Sequence, residues 1–201
     1  MARYAAIDCG TNSLRLLISE DNHGRPREIV RLMEIVRLGQ GVDATGEFAP
    51  EALERTRKVL TKYVDLMQQE RVQDVRMVAT SATRDARNKD EFFAMTAELL
   101  GQIRPGACAQ VITGEEEAKL SFIGAVAYLS KEQGPFCVID LGGGSTEFVV
   151  GVAGGQLLGS YSSQMGCVRI SERIMQSDPP TPEEVEAARQ YVAERLAEVQ
   201  E

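Results

Sequence analysis

The chain has 201 residues, 43% hydrophobic and 26% charged, with a net charge of −8. That composition gives one or two globular domains with an ample core, and no apolar run approaches the roughly 18 residues of a membrane span. The acidic balance argues against nucleic-acid binding, so an anionic substrate would need a local basic lining or a metal. The apolar start at residues 4–7 is interrupted by Asp8, which speaks against a signal peptide; the expectation is a soluble cytoplasmic enzyme. Cys9, Cys108, Cys137 and Cys167 lie far apart without a C-x-x-C, so reduced, buried thiols are expected rather than disulfides or a zinc site. His23 is the single histidine and sits in a polar turn, which supports neither a histidine nucleophile nor a histidine metal cluster.

In chain order, β-branched and apolar runs bounded by Gly, Asn and Asp predict strands at 3–8, 14–20 and 28–37. An amphipathic helix opens near Pro50 and carries Leu53, Leu60, Val64 and Met67 on one stripe. A strand at 75–80, a helix at 90–100 and a strand at 107–112 follow, then a helix at 114–130 with Ala118, Phe122, Ala125, Val126 and Leu129 on one face. After residue 135 the order begins again, with strands at 136–141, 146–152 and 156–163 and a helix after Gly166. The last helix is announced by the capping-box spacing of residues 181–184, with proline at its first position. Its glutamates and arginines over 182–200 read as a solvated face.

The segment VIDLGGGSTEFVV, residues 138–150, is a strand that meets an aspartate, three glycines and a second strand. A dinucleotide fold or a P-loop would turn into a helix after its glycines, and no Gly-Lys-Ser/Thr occurs in the chain, so Walker A is excluded. A glycine-rich hairpin can aim consecutive N–H groups at an anion, with no Cβ to hold it off. Asp140 would repel that anion unless a cation lay between, which suggests phosphate with a divalent metal; a tight hairpin with a bulge is the plain alternative. The segment AIDCGTNSLRLLI, residues 6–18, aligns with it without a gap, Asp8 on Asp140, Gly10 on Gly142 and Ile18 on Val150, at an offset of 132 residues. Such an offset reads as a duplicated domain.

Two βββαβαβα units, each opening on such a hairpin, resemble the actin, Hsp70 and sugar-kinase superfamily. The expected fold is α/β, a duplicated ribonuclease H-like (actin-like ATPase) arrangement with residues 1–131 as the first domain and 132–201 as an incomplete second copy. AAIDCGTNS, ATSATRDARN, TGEEEAKLSFIGA, VIDLGGGSTE and MGCVR, in that order over residues 5–169, resemble the exopolyphosphatase and guanosine pentaphosphate phosphohydrolase (Ppx/GppA) family.

That resemblance implies release of the terminal phosphate of inorganic polyphosphate by water, with Mg²⁺ present and Glu117 as base. The other substrate it allows is guanosine pentaphosphate; from another class, a non-catalytic ATP or polyphosphate binder remains an alternative. Glu115 and Glu116 fit the dipole of a helix start capped by Thr113, whereas Glu117 lies on the line of Leu120, Ser121 and Gly124 beside the buried stripe. Arg84 resembles the family arginine near the scissile phosphate, with a pairing to Asp85 or Asp90 as the structural alternative. Gly10, Thr11, Asn12 and Ser13 at one turn, and Gly142, Gly143, Gly144, Ser145 and Thr146 at the other, are the expected phosphate binders, with Arg169 carrying phosphates further out or simply solvated. Asp140, helped by Glu147 or Asp8, is expected to hold Mg²⁺. The family's later glycine-threonine segment is absent, so the chain is expected to be a fragment that self-associates or is marginally stable alone. A homodimer is expected for a full-length form, with neither nucleic acid nor membrane as partner.

Overall fold

The computed structural model describes residues 1–130 and 133–199. It divides into two compact units, Met1–Val111 and Ile112–Glu201. The expected domain boundary between residues 131 and 132 lies outside the described residues.

The first unit contains β1 (Arg3–Cys9), β2 (Ser13–Asn22), β3 (Arg25–Ile35), α1 (Val42–Thr45), α2 (Pro50–Gln69), β4 (Asp74–Ala79), α3 (Ser81–Asp85), α4 (Lys89–Leu100) and β5 (Ala109–Val111). Its sheet runs β3-β2-β1-β4-β5, the first three strands antiparallel and β4 and β5 added in parallel to β1. Alternation buries Ile7, Cys9, Leu14, Leu16 and Ile18, and α2 covers them with Leu60, Tyr63, Val64 and Met67. Tyr63 donates its hydroxyl to Leu14 O at 2.9 Å, and burial, with Glu34 adding, pushes its pKa up to about 12. The helices α1 and α3 escape a reading by period, because four and five residues are too few to show one; Gly41 and Gly46, at φ 75° and 72°, bracket α1.

The second unit contains α5 (Gly114–Val126), β6 (Phe136–Leu141), β7 (Thr146–Val152), β8 (Gln156–Ser163), α6 (Cys167–Arg173) and α7 (Pro182–Val199). Its strands form an antiparallel sheet, β6-β7-β8. The stripe Ala118, Phe122 and Val126 packs with Val149, Phe136, Val138 and Leu157. The helix stops there instead of reaching residue 130, and Ala125 and Leu129 are exposed. At α7 the capping box closes as expected: Glu184 N–H donates to Thr181 Oγ1 at 3.2 Å and Thr181 N–H to Glu184 Oε2 at 2.9 Å. That bond, followed by those from Ser177 and Gln176, holds the Glu184 carboxyl below its ordinary range.

The opposite face of the second sheet is bare in part. Ile139, Leu141 and Leu158 are 60%, 68% and 60% exposed, and Cys137 lies on the same side of β6 by alternation. The expectation of buried thiols therefore holds for Cys9 alone, whose thiol burial pushes well up; Cys108, Cys137 and Cys167 are free and exposed. Among the described residues no helix is long and apolar enough to cross a membrane.

The duplication extends to strand register. Asp8 pairs with Arg15 and Asp140 with Glu147, and the register slips between Ile18 and Ser19 in one sheet and between Val150 and Gly151 in the other, each position displaced by the same 132 residues.

Candidate active site

Both turns close in the same way. Gly10 N–H donates to Ser13 O, and Gly142 N–H to Ser145 O, each at 3.0 Å. In the first unit the loop after β3 lies against the turn: Val36 and Arg37 N–H donate to Asn12 O at 3.0 and 2.9 Å, and Gly39 N–H to Thr11 O at 2.8 Å. Arg37 adopts φ 50°, unusual for a residue with a side chain, just where the chain turns away after these two N–H groups. Gly39 is required by space, since a Cβ there would lie 2.3 Å from Thr11 Cγ2. Arg55 of α2 secures the loop, its Nε donating to Val36 O at 2.9 Å and its Nη2 to Gln40 Oε1 at 2.9 Å. The helix α3 adjoins the same turn through Thr80 N–H, which donates to Cys9 O at 3.2 Å, and it carries the half-buried Arg84.

In the second unit the start of α6 takes the place of that loop. Gly166 runs so close to the Gly143–Gly144 peptide that a Cβ would lie 2.3 Å from Gly143 O. Thr146 Oγ1 donates inward to Met165 O, so its hydroxyl proton is spent on the protein instead of being offered at the turn.

The two sheets differ at the base of these turns. Asp8 faces Arg15, its Oδ2 3.5 Å from Nη1, whereas Asp140 faces Glu147, a carboxylate opposite a carboxylate. Like charges placed directly across an antiparallel pair repel, and Glu147 is only 1% exposed. Each acid of this pair accepts from a serine: Asp140 Oδ2 from Ser121 Oγ of α5, and Glu147 Oε1 from Ser162 Oγ of β8 at 2.9 Å. Ser162 also lies close against the start of α5, where a Cβ on Gly114 would meet its Oγ at 2.8 Å. Each serine hydroxyl engages one of the carboxylate's lone pairs. This donor set suits Mg²⁺, a hard ion that takes one or two carboxylates and completes its shell with water and phosphate oxygens. Among the described residues no group of three or more His, Cys, Asp or Glu gathers for a metal; within its unit the expected set is the pair Asp140 and Glu147.

Glu117 lies one turn before Ser121 on α5 and is half-buried, while Glu115 and Glu116 are exposed in the first turn, where Thr113 Oγ1 accepts from Glu116 N–H at 3.1 Å. Arg169, expected to carry phosphates further out or to be solvated at the surface, is 8% exposed and donates from Nε to Gly144 O at 2.9 Å. As parts of the site, Ser121, Ser162, Gly39, Gly166 and Arg55 are not singled out by the sequence, although it places Ser121 on the Glu117 face and Gly166 before a helix. Ser121 alone carried a signal, its spacing of four residues from Glu117 on one helix face.

The profile of the Ppx/GppA phosphatase family matches residues 17–201. The chain is 56% identical over 200 residues to "Exopolyphosphatase 2" of Mycobacterium tuberculosis, an alignment covering 98% of this chain and 62% of that protein. A crystal structure described as an exopolyphosphatase-like protein superimposes with a TM-score of 0.87 at 40% identity, covering 98% of this chain and 61% of the other. A Ppx/GppA family member of Aquifex aeolicus does so with a TM-score of 0.75 at 34% identity, covering 98% and 62%. The chain thus spans about 62% of the length of the curated relatives it matches. With the duplicated hairpins, the profile match and these superpositions, the chain belongs to the Ppx/GppA phosphatase family and has its actin-like ATPase fold.

Proposed function

We propose that this chain carries the catalytic groups of an exopolyphosphatase, which releases the terminal phosphate of inorganic polyphosphate by attack of water. The observation that carries this reading is the cross-strand pair of Asp140 and Glu147 beside a turn built of glycines, an arrangement that asks for a cation and accepts a phosphate. The name of the 56% identical mycobacterial relative points to the same substrate.

Asp140 and Glu147 would hold Mg²⁺, which when bound would neutralise phosphate charge. Glu117 takes the proton of the attacking water as the oxygen–phosphorus bond forms, and the shortened polyphosphate leaves as its anion. Ser121 and Ser162 orient the two acids, and the N–H groups of the glycine turn hold phosphate oxygens. In the first unit Arg84 offers a planar guanidinium to phosphate oxygens, as lysine could not.

The test is phosphate release from polyphosphate and from guanosine pentaphosphate, with and without Mg²⁺, on the 201-residue chain and on any longer natural form that contains it. Mg²⁺-dependent release from polyphosphate that Asp140→Asn abolishes is the expected result. Faster release from guanosine pentaphosphate would reassign the substrate, and release undiminished in both Asp140→Asn and Glu147→Gln would overturn the reading.

A further inference from the structure

In the glycine turn of the second unit, three carbonyls are held by the start of α6. Cys167 N–H donates to Gly142 O at 3.1 Å, Val168 and Arg169 N–H donate to Gly143 O at 2.9 and 3.1 Å, and Arg169 Nε donates to Gly144 O at 2.9 Å. Three consecutive carbonyls are therefore occupied by residues 167–169. These peptides are trans, and a trans peptide directs its N–H opposite to its C=O. The N–H groups of Gly143, Gly144 and Ser145 accordingly face away from α6, and among the described residues none of the three donates to a protein acceptor.

The three carbonyls are not held alike. Those of Gly142 and Gly143 are fixed by backbone N–H groups, which no side-chain replacement removes. The Gly144 carbonyl is fixed by a side chain, the guanidinium of Arg169, whose Nη2 also donates to Gln164 Oε1 at 3.3 Å. That guanidinium binds the carbonyl side of the turn, the side opposite to the free N–H groups.

We propose that Arg169 is a positioning residue, which binds no phosphate itself but fixes the Gly144–Ser145 peptide so that Ser145 N–H joins those of Gly143 and Gly144 in an anion-binding row. This rests on the phosphate-binding role given to the turn above. Gly166 serves the same end, since its missing Cβ lets α6 approach the turn closely enough for Arg169 to reach it.

The experiment is a titration of the ¹⁵N-labelled chain with inorganic tripolyphosphate, for the native sequence and for Arg169→Ala and Arg169→Gln, at two salt concentrations. Thermal unfolding and the Cys167 and Val168 amide signals verify that the turn's surroundings are intact. For the native chain the Gly143, Gly144 and Ser145 amides should shift on binding. Arg169→Ala should weaken binding by about tenfold or more, the scale of one charge-assisted hydrogen bond, with the largest change at Ser145. Arg169→Gln, which keeps a donor for Gly144 O without the charge, should recover much of that loss at an unchanged salt dependence. Unchanged affinity and an unchanged Ser145 amide in Arg169→Ala would overturn the proposal. So would weaker binding in both variants with a native Ser145 amide and a flatter salt dependence, the mark of a lost direct contact. If the native chain does not respond to tripolyphosphate, the phosphate reading of the turn fails; the Ser145 amide of the ligand-free native chain, compared with that of Arg169→Ala, then decides the positioning claim by itself. Should Arg169→Ala not fold, Arg169→Gln and Arg169→Lys carry the same comparison.

Discussion

The hairpins that open the two units share their register, their closing hydrogen bond and the place of their register slip, yet they differ in charge. At the base of the first, Asp8 has an arginine opposite; at the base of the second, Asp140 has a second acid, Glu147, opposite. They differ also in how they are held. An arginine supports each, but Arg55 grips a loop that grips the first turn, whereas Arg169 grips the second turn directly. A duplicated backbone has thus diverged at the paired side chains, which is where function is grafted on a fold.

The largest effect should come from testing this asymmetry by activity. Glu117→Gln should lower phosphate release by on the order of 10²-fold or more with substrate binding nearly intact, while Glu115→Gln changes little. Asp140→Ala should abolish activity and its Mg²⁺ dependence together, and Asp8→Ala, which breaks an exposed ion pair, should have the smaller effect. Equal losses at Asp8 and Asp140 would mean that the charge difference between the hairpins carries no chemistry.

A middle-sized effect concerns space. Gly166→Ala drives a Cβ into backbone atoms of Gly143 and Gly144 that cannot yield, whereas Gly39→Ala drives one into the Thr11 methyl. Both should destabilise by about 1–3 kcal/mol. Thr11→Ser should relieve much of the Gly39→Ala loss, and no single side-chain change should relieve Gly166→Ala; urea denaturation of the single and double variants measures this.

The smallest effect separates the units by acid. Glu20 is held below the ordinary carboxyl range chiefly by Arg27, with Arg3 adding; Glu184 is held there chiefly by the Thr181 N–H. A lowered carboxyl contributes stability above its ordinary range and loses it as the pH falls through the lowered value. Glu20→Gln and Glu184→Gln should therefore each flatten the fall in stability on the acid side. High salt should shrink the Glu20 contribution, which rests on ion pairs, and leave that of Glu184, which rests on backbone hydrogen bonds. Thermal unfolding in a series of buffers at two salt concentrations checks both.

Much of this was legible in residues 138–150 and their counterpart at 6–18. The glycines, the aspartates and the apolar alternation specify strand, turn and strand locally, and the constant offset exposes the duplication. The capping box at Thr181 and Glu184 was likewise local. What stayed hidden depends on chain segments far apart in sequence. Nothing near Arg169 announces that its partner is the Gly144 carbonyl, nothing near Gly39 that Thr11 lies against it, and Cys137 looks like a core thiol until its face of β6 is found open. Ser121 stands between the two cases: its place on the Glu117 face was readable, but its bond to Asp140 required the sheet.

The open face of β6 places a thiol in plain view. Cys137 stands among Ile139, Leu141 and Leu158 on that face, while Cys108 is exposed in the other unit and Cys9 is sealed in the core. The molecule therefore contains a built-in alkylation gauge: the iodoacetamide reaction rate of Cys137, referred to that of Cys108, reports whether any other polypeptide has come to rest on the second sheet, with no label having to be engineered.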